Sequence, residues 1–249
     1  MKTKKHIYSF IGIFSFISFW SLLKVVIFPN AIFLSSPIDT FQRLWELILS
    51  EGLLNDFLAT LYKFSMGFGF AVVVGIPIGL FLGINKRVYQ SVELLLDFFR
   101  SIPVTTLFPL FILFFGISSL TIISMVSVSC LFVIILNTSY GVFYTKESHI
   151  SYLKSIGANK FQIFKHVVLP SSLPFIFIGL RVSVSFALIV VIVAEMFIGA
   201  NKGLGIRVYE AHETYLISDV YAIIIFVGLL GYFLNRIFIV LEKKIIHWE

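Results

Sequence analysis

The chain has 249 residues, of which 59% are hydrophobic and only 13% are charged. Soluble domains carry about 25% charged residues, so this composition excludes an ordinary soluble protein and indicates an integral membrane protein. The net charge is +6. The basic residues are distributed along the chain as in a membrane protein with a defined topology, rather than as in a nucleic-acid-binding surface. The single cysteine, Cys130, excludes a disulfide framework.

The N-terminal segment predicts a first transmembrane helix. Lys2, Lys4 and Lys5 precede an apolar run over residues 7–28, which is longer than the apolar region of a signal peptide and is followed by no cleavage site. Gly12 is the only glycine in this run, so few positions allow another helix to approach closely. We therefore expect this helix to lie at the periphery of a bundle. The segment that follows, 29–56, predicts a short helix at about 39–50 at the membrane interface, or else a simple surface connector.

Six apolar runs are long enough to cross or nearly cross about 30 Å of hydrocarbon. They lie at about 7–28, 57–84, 98–116, 119–138, 174–199 and 220–241. Pro103 and Pro109 interrupt the third run, so five spans are the alternative if 98–138 folds irregularly. The sequence therefore predicts an all-α membrane protein with about six transmembrane helices.

The charges predict the orientation of these spans. With a cytoplasmic N-terminus, 13 of the 19 basic residues fall on the cytoplasmic side, Arg100 among them. The segments on the other side are mainly acidic. Because cytoplasmic loops of membrane proteins are enriched in lysine and arginine, both termini and the long loop 139–172 are expected to face the cytoplasm.

The second apolar run carries small residues at an unbroken spacing of four, which forms one smooth stripe on a helix. This stripe allows another helix to approach closely, either within the same chain, which the sequence favours, or at a subunit interface. Its members are Gly67, Ala71, Gly75, Gly79 and Gly83.

The polar loop 139–172 contains a helix–turn–helix pattern. Gly157 follows a helical pattern and predicts a left-handed stop, and Asn159 with Gln162 predicts a capping box that starts a second helix. Pro170 and Pro174 predict the entry into the fifth span, with Ser171 and Ser172 as possible caps. On physical grounds alone, a rigid turn outside the membrane and a passive amphipathic linker on the lipid surface are equally consistent with this pattern.

Residues 151–170 resemble the cytoplasmic "EAA" loop of binding-protein-dependent ABC importer permeases. Gly157, Val167, Leu169 and Pro170 fall in the register of that motif, whereas Ser151-Tyr-Leu153 stands where the family has Glu-Ala-Ala. The resemblance covers about residues 53–243 and is closest to permeases for sulfonate, taurine, nitrate and thiamine precursors. Further matching segments, in chain order, are Arg100-Ser-Ile-Pro-Val, Phe108–Gly116, Asn137–Gly141, Gly179-Leu-Arg181, Ala194-Glu-Met196 and Gly203-Leu-Gly205.

This resemblance implies a type I ABC importer permease fold in a bacterial cytoplasmic membrane. It implies an N-terminal helix and outside loop (1–52), a permease core (53–243) with the coupling loop 139–172, and a cytoplasmic tail (244–249). The partners it implies are a second copy of the chain, a cytoplasmic ATPase dimer and an external solute-binding protein, all around the lipid bilayer and without nucleic acid. The expected coupling residues are Ser151, Lys154, Gly157, Ala158, Lys160, Val167, Leu169 and Pro170.

No segment of the chain predicts catalysis. The P-loop pattern G-x-x-x-x-G-K-[ST] is absent from the sequence, and the five histidines are scattered without ligand spacing. We therefore expect a permease subunit that is no enzyme and holds no cofactor or metal, with ATP used by a separate polypeptide. The cargo is expected to be a small solute: an organic or inorganic anion, or a thiamine-type precursor.

Glu195 is the one acid deep in an apolar run. A charge at the centre of a membrane helix costs about 2.5–3.5 kcal/mol on insertion scales, so this side chain should face protein or water. It is either a pathway residue or a group that caps the segment 199–205. The pathway candidates are Pro103, Ser183, Ser185 and Glu195. The alternative to an ABC permease is a self-sufficient secondary transporter or channel that uses Glu195 as its ion site.

Overall fold

The computed structural model describes residues 2–50, 52–198 and 202–246, and these ranges contain helices and no strands. The prediction of an all-α protein is confirmed. The α-helices are α1 (Lys2–Leu22), α2 (Pro37–Ser50), α3 (Leu53–Ile84), α4 (Lys86–Ser101), α5 (Phe108–Phe115), α6 (Ser119–Phe143), α7 (Glu147–Ser155), α8 (Lys160–Ile163), α9 (Leu169–Ile198), α10 (Leu204–Glu213) and α11 (Ile217–Ile245). Two π turns, Leu23–Ile27 and Phe164–Val168, and a 3₁₀ turn, Val104–Leu107, complete the regular structure.

Helix α1 lies at the periphery, as the presence of only one glycine in it predicts. None of the membrane-spanning window Phe10–Ile27 is buried. Its attachment to the rest of the chain is near its C-terminal end, where Trp20 stacks on Tyr221 of α11 with ring centroids 5.7 Å apart. The Trp20 indole N–H also donates to the Ser35 carbonyl over 3.0 Å. The short helix expected at 39–50 is present as α2.

The centre of the bundle consists of α3, α6 and α9, whose buried faces share one hydrophobic core. The small-residue stripe of α3 lies against α6 of the same chain. A Cβ added at Gly79 would lie 2.6 Å from the Cβ of Thr138, and one added at Gly67 would lie 2.7 Å from the Cβ of Val126. Ser139 strengthens this contact by donating to the Gly79 carbonyl over 3.0 Å. Close packing of the two helices thus requires glycine at Gly67 and Gly79, because a Cβ at either position would push them apart.

Among the described residues, five helical segments are long and apolar enough to cross a membrane, and a bent pair provides a sixth. The bent pair is α4 followed by the 3₁₀ turn and α5, with an angle of 83° at the break. The predicted third span, 98–116, is therefore placed wrongly: the helix begins at Lys86 and breaks at Pro103. Pro103 favours a break here, because it has no N–H to donate along a helix and its ring crowds the preceding turn. Pro109 lies in the first turn of α5, where a missing N–H costs nothing.

The predicted start of the fifth span near Pro170 and Pro174, with Ser171 and Ser172 as caps, is also wrong. Helix α8, the second π turn and α9 form one continuous span, Lys160–Ile198. In the π turn the Leu169 N–H bonds to the Phe164 carbonyl, five residues back, and this wider turn accommodates the bond that Pro170 cannot make. Ser172 bonds to the carbonyl of Leu169 inside the helix, so it caps nothing.

Candidate functional site

The turn between α7 and α8 has the left-handed glycine that the sequence predicts. Gly157 has φ +83°. Its N–H donates to the Lys154 carbonyl and the Ala158 N–H donates to the Leu153 carbonyl, both over 3.0 Å. This pair of bonds is a Schellman motif, which satisfies the last carbonyls of α7. Glycine is favoured at the C′ position of this motif, which Gly157 occupies, because a Cβ is strained at this φ.

The start of α8 is held equally firmly by the predicted capping box. The Asn159 side-chain oxygen accepts the Gln162 N–H over 2.9 Å, and the Gln162 side-chain oxygen accepts the Asn159 N–H over 2.7 Å. The two helix ends that meet at this turn therefore have their backbone groups satisfied locally. The turn is a preformed structural unit that needs no partner to adopt its shape.

One side of this unit is anchored and the other is open. Ile163 and Val168 are buried against Val142 at the end of α6. On the open side Tyr152, Ile156 and Phe161 are more than 60% exposed, and an added Cβ at Gly157 would meet nothing within 4 Å. The turn thus presents an apolar surface around a glycine, which suits contact with another protein.

The structure separates the predicted coupling residues into two groups. Ser151, Lys154 and Lys160 are exposed on the short helices beside Gly157, and Ala158 is half-buried at the turn itself. The others lie further along the continuous α8–α9 span and are half-buried there; they are Val167, Leu169 and Pro170. The first group can contact a partner directly, whereas the second forms the start of the helix that enters the membrane.

Glu195 lies at the centre of a buried ionic cluster. It is fully buried, and its carboxylate accepts the Lys63 ammonium over 2.8 Å and the Thr60 hydroxyl over 3.0 Å and 2.9 Å. It also accepts the Gly205 N–H over 2.9 Å. Lys63 in turn donates to the Lys202 carbonyl over 2.7 Å. The cluster joins α3 and α9 to the segment that leads into α10.

The glycines of this segment allow it to approach the carboxylate. A Cβ at Gly203 would collide with the Glu195 carboxylate, and one at Gly205 would lie 2.7 Å from the Glu195 Cβ. Further out on α3, Asp56 accepts the Gly203 N–H over 3.1 Å and forms an ion pair of 2.6 Å with Arg207. The geometry therefore favours a structural role for Glu195, holding the segment after α9. The predicted range 199–205 lies partly outside the described residues.

Sequence reasoning missed Lys63 as the partner of Glu195. The two residues are 132 positions apart, so no local pattern relates them. A usable signal was present, because Lys63 is a cation inside the second apolar run and an intramembrane cation requires an anion or water. Thr60 lies on the same face, about one turn away.

A cavity of about 640 Å³ lies beside the break between α4 and α5. Of the four pathway candidates, Pro103 lines it, and Ser183, Ser185 and Glu195 do not. Ser183 is buried and donates to the Cys130 carbonyl over 3.5 Å, so its hydroxyl is satisfied within the bundle. The polar lining residues that the sequence analysis missed are Arg100, Ser101, Thr105, Ser129, Asn137 and Tyr140. They come from α4, the 3₁₀ turn and α6.

The chain matches the family of binding-protein-dependent transport system inner membrane components over residues 75–247. The similar proteins include a probable ABC transporter permease of Brucella abortus, 29% identical over 92% of this chain and 90% of that protein. They also include the nitrate import permease NrtB of Synechocystis, 27% identical over 87% and 82% of the two chains. The bicarbonate transport permease CmpB of Synechococcus elongatus is 26% identical over 94% and 87%.

Among solved structures, a chain of the MetNI methionine ABC transporter in an inward-facing conformation has the same fold. The TM-score is 0.63 and the identity 20%, over 80% of this chain and 98% of that chain. Helix content, the bent pair and this likeness define the class: a multi-span permease with the type I ABC importer fold. The chain belongs to the family of binding-protein-dependent transport system inner membrane components and is an ABC importer permease.

Proposed function

We propose that this chain forms half of the membrane pathway of an ATP-driven importer and receives its energy through the Gly157 turn. The observation that carries the proposal is the preformed turn, with satisfied caps on both sides and an exposed apolar surface around Gly157. A separate ATPase would bind this surface. A second copy of the chain would complete the pathway, and a solute-binding protein would deliver the cargo on the opposite side.

The continuous helix from Lys160 to Ile198 supplies a route from the turn to the membrane interior. It begins three residues after Gly157 and continues past the cavity, which Val182, Phe186 and Ile189 line. It ends near the Glu195 cluster. Because the turn and this wall of the cavity belong to one continuous helical span, ATPase closure at the turn would move that wall. The Glu195 cluster would keep the far end of α9 fixed to α3.

The orientation that fits this mechanism is the one that the charges predict, with the turn and both termini in the cytoplasm of a bacterial cell and the α2–α10 side outside. Lys154, Lys160 and Lys165 lie on or next to the turn, in accord with the positive-inside rule. The acidic residues Glu210, Glu213 and Asp219 lie at the other end of the bundle, on α10 and the start of α11.

For the cargo we propose a small anion. Two similar permeases carry nitrate or bicarbonate according to their names, and the sequence resembles sulfonate and taurine permeases as well. The alternative of an ion-coupled transporter centred on Glu195 is not favoured. The carboxylate is already satisfied by Lys63, Thr60 and the Gly205 N–H, and it does not line the cavity.

The test is uptake by reconstituted complexes. The permease is placed in liposomes alone, with the ATPase, and with the ATPase and a solute-binding protein encoded beside its gene. Nitrate, bicarbonate and an alkanesulfonate serve as probes. We expect uptake only in the complete system with ATP. Uptake by the permease alone, driven by a proton or sodium gradient, would overturn the proposal.

A further inference from the structure

The break between α4 and α5 lies beside the middle of α6. Near the start of α4, Tyr89 packs against Phe143 at the end of α6, with ring centroids 4.8 Å apart. At the end of α4, Phe99 stacks on Phe132 in the middle of α6, at 5.7 Å. Helix α4 thus rises along α6 from its end to its middle before it breaks. The end of α4, with Arg100, therefore lies within the depth of the candidate span α6 rather than at its end, and we place Arg100 at this depth instead of among the cytoplasmic charges expected from the sequence.

Irregular backbone at this depth is tolerated only where it is buried in protein or lines a water-filled cavity. The segment Arg100–Thr105 lies at such a place, because all six residues line the 640 Å³ cavity. Discontinuous helices at the midplane are a common way to build solute sites in transporters. The break is therefore a place where polar backbone and side chains meet the pathway.

Arg100 carries the only formal charge among the described residues that line this cavity. Its side chain is about half exposed and donates to Asp97 over 3.2 Å. A guanidinium has five N–H donors, so this contact leaves donors for another partner. Asn137 also lines the cavity, and its side-chain N–H donates to the Val133 carbonyl over 2.8 Å.

We propose that Arg100 is the charge-selecting residue of the pathway, which makes the cavity attractive to anions and repellent to cations. The proposal rests on the proposed transport function, and it assigns selection to this chain as well as to an external binding protein. A guanidinium can bind a planar or tetrahedral oxyanion through two parallel hydrogen bonds. The walls of Phe132, Phe186 and Ile189 lower the local dielectric and strengthen that attraction. Two copies of the chain would bring two such residues to one pathway.

The test measures the electrostatic potential of the cavity without needing the cargo. Thr105, which is exposed in the cavity, is changed to cysteine in a Cys130→Ala background. The rates of modification by a sulfonate-bearing and a trimethylammonium-bearing methanethiosulfonate are compared in the purified full chain. We expect the anionic reagent to react faster. The ratio of the two rates should fall in Arg100→Gln by at least the roughly fourfold change that the loss of a unit charge at a distance of about 10 Å in water would give.

Three further variants make the result specific to Arg100. Arg100→Lys should keep the ratio, and Asp97→Asn should raise it because the neighbouring negative charge is lost. Arg87→Gln removes an exposed positive charge at the far end of α4 and should leave the ratio unchanged. An unchanged ratio in a folded Arg100→Gln protein, or faster reaction of the cationic reagent in the parent, would overturn the inference. If uptake depends on ATP but the ratio of modification rates is unchanged in Arg100→Gln, only the inference about Arg100 is overturned. If uptake does not depend on ATP, the proposed function is overturned, and the effect of Arg100 on the ratio is unaffected.

Discussion

At the scale of single residues, the Lys63–Glu195 pair illustrates why charges persist in an apolar bundle. Both residues are less than 5% exposed, and each is satisfied by further hydrogen bonds to Thr60, Gly205 or Lys202. A buried ion pair contributes little net stability compared with apolar residues of the same volume. It does specify one arrangement, because removal of either partner leaves an isolated charge. Here the arrangement that it specifies is the position of the segment after α9.

The first prediction concerns this pair. Glu195→Leu alone should destabilise the protein by about 3 kcal/mol or more, because it leaves the Lys63 ammonium buried without its carboxylate. Adding Lys63→Met should recover most of that loss. The measurement is reversible unfolding in detergent, analysed as a double-mutant cycle. Glu210→Gln, an exposed acid on α10, is the control and should be neutral. Additive losses in the double variant would show that the two charges do not act as a pair.

At the scale of helices, the local patterns were readable from the sequence and the long-range ones were not. The Schellman turn at Gly157, the capping box at Asn159 and the small-residue stripe of α3 each depend on neighbours a few positions away. The 83° bend at Pro103 depends on how α4 and α5 pack on α6. The fifth span was placed too late because Pro170 was interpreted as a helix start, whereas a π turn carries the helix through it.

The second prediction tests the stripe. Gly79→Ala should destabilise the protein by about 1–3 kcal/mol, because its Cβ would lie 2.6 Å from Thr138 and force α3 away from α6. Gly69→Ala, on the same helix with nothing within 4 Å, is the matched control and should be neutral or slightly stabilising. Thermal unfolding of both variants in the same detergent is the measurement. Equal stability of the two would mean that α3 and α6 can separate without cost.

The third prediction concerns the turn that we propose as the ATPase contact. Gly157→Val should insert and fold, because the position is open to solvent, yet it should weaken ATPase binding since a β-branched residue is strained at φ +83°. Gly157→Asn is the control: asparagine tolerates the left-handed region, so binding should be largely kept. Co-purification of the ATPase and solute-stimulated ATP hydrolysis are measured at matched expression. Normal ATPase binding and normal stimulation of ATP hydrolysis in Gly157→Val would mean that the turn is a passive linker.

At the scale of the whole molecule, composition and apolar runs were sufficient for the class of fold, and the resemblance of 53–243 was sufficient for the family. The assembly of sites from distant segments was not accessible in this way. The cavity combines α4, α6 and α9, and the Glu195 cluster combines α3, α9 and the segment before α10. No spacing rule relates such segments, because their proximity results from the packing of the bundle.

The last prediction tests the orientation on which the proposed mechanism depends. The Gly157 turn and the end of α10 lie at opposite ends of the bundle, so one must face the cytoplasm if the other faces outward. In a Cys130→Ala background, Thr214→Cys should react with a membrane-impermeant maleimide added to intact cells, and Lys160→Cys should react only after the membrane is opened. Both positions are exposed in the structure, so access to reagent, rather than burial, determines labelling. The lysines around the turn and the acids on α10 predict this result through the positive-inside rule. Labelling of Lys160→Cys in intact cells, with protection of Thr214→Cys, would show that the protein has the opposite orientation. The turn would then lie outside the cell, where a cytoplasmic ATPase cannot reach it.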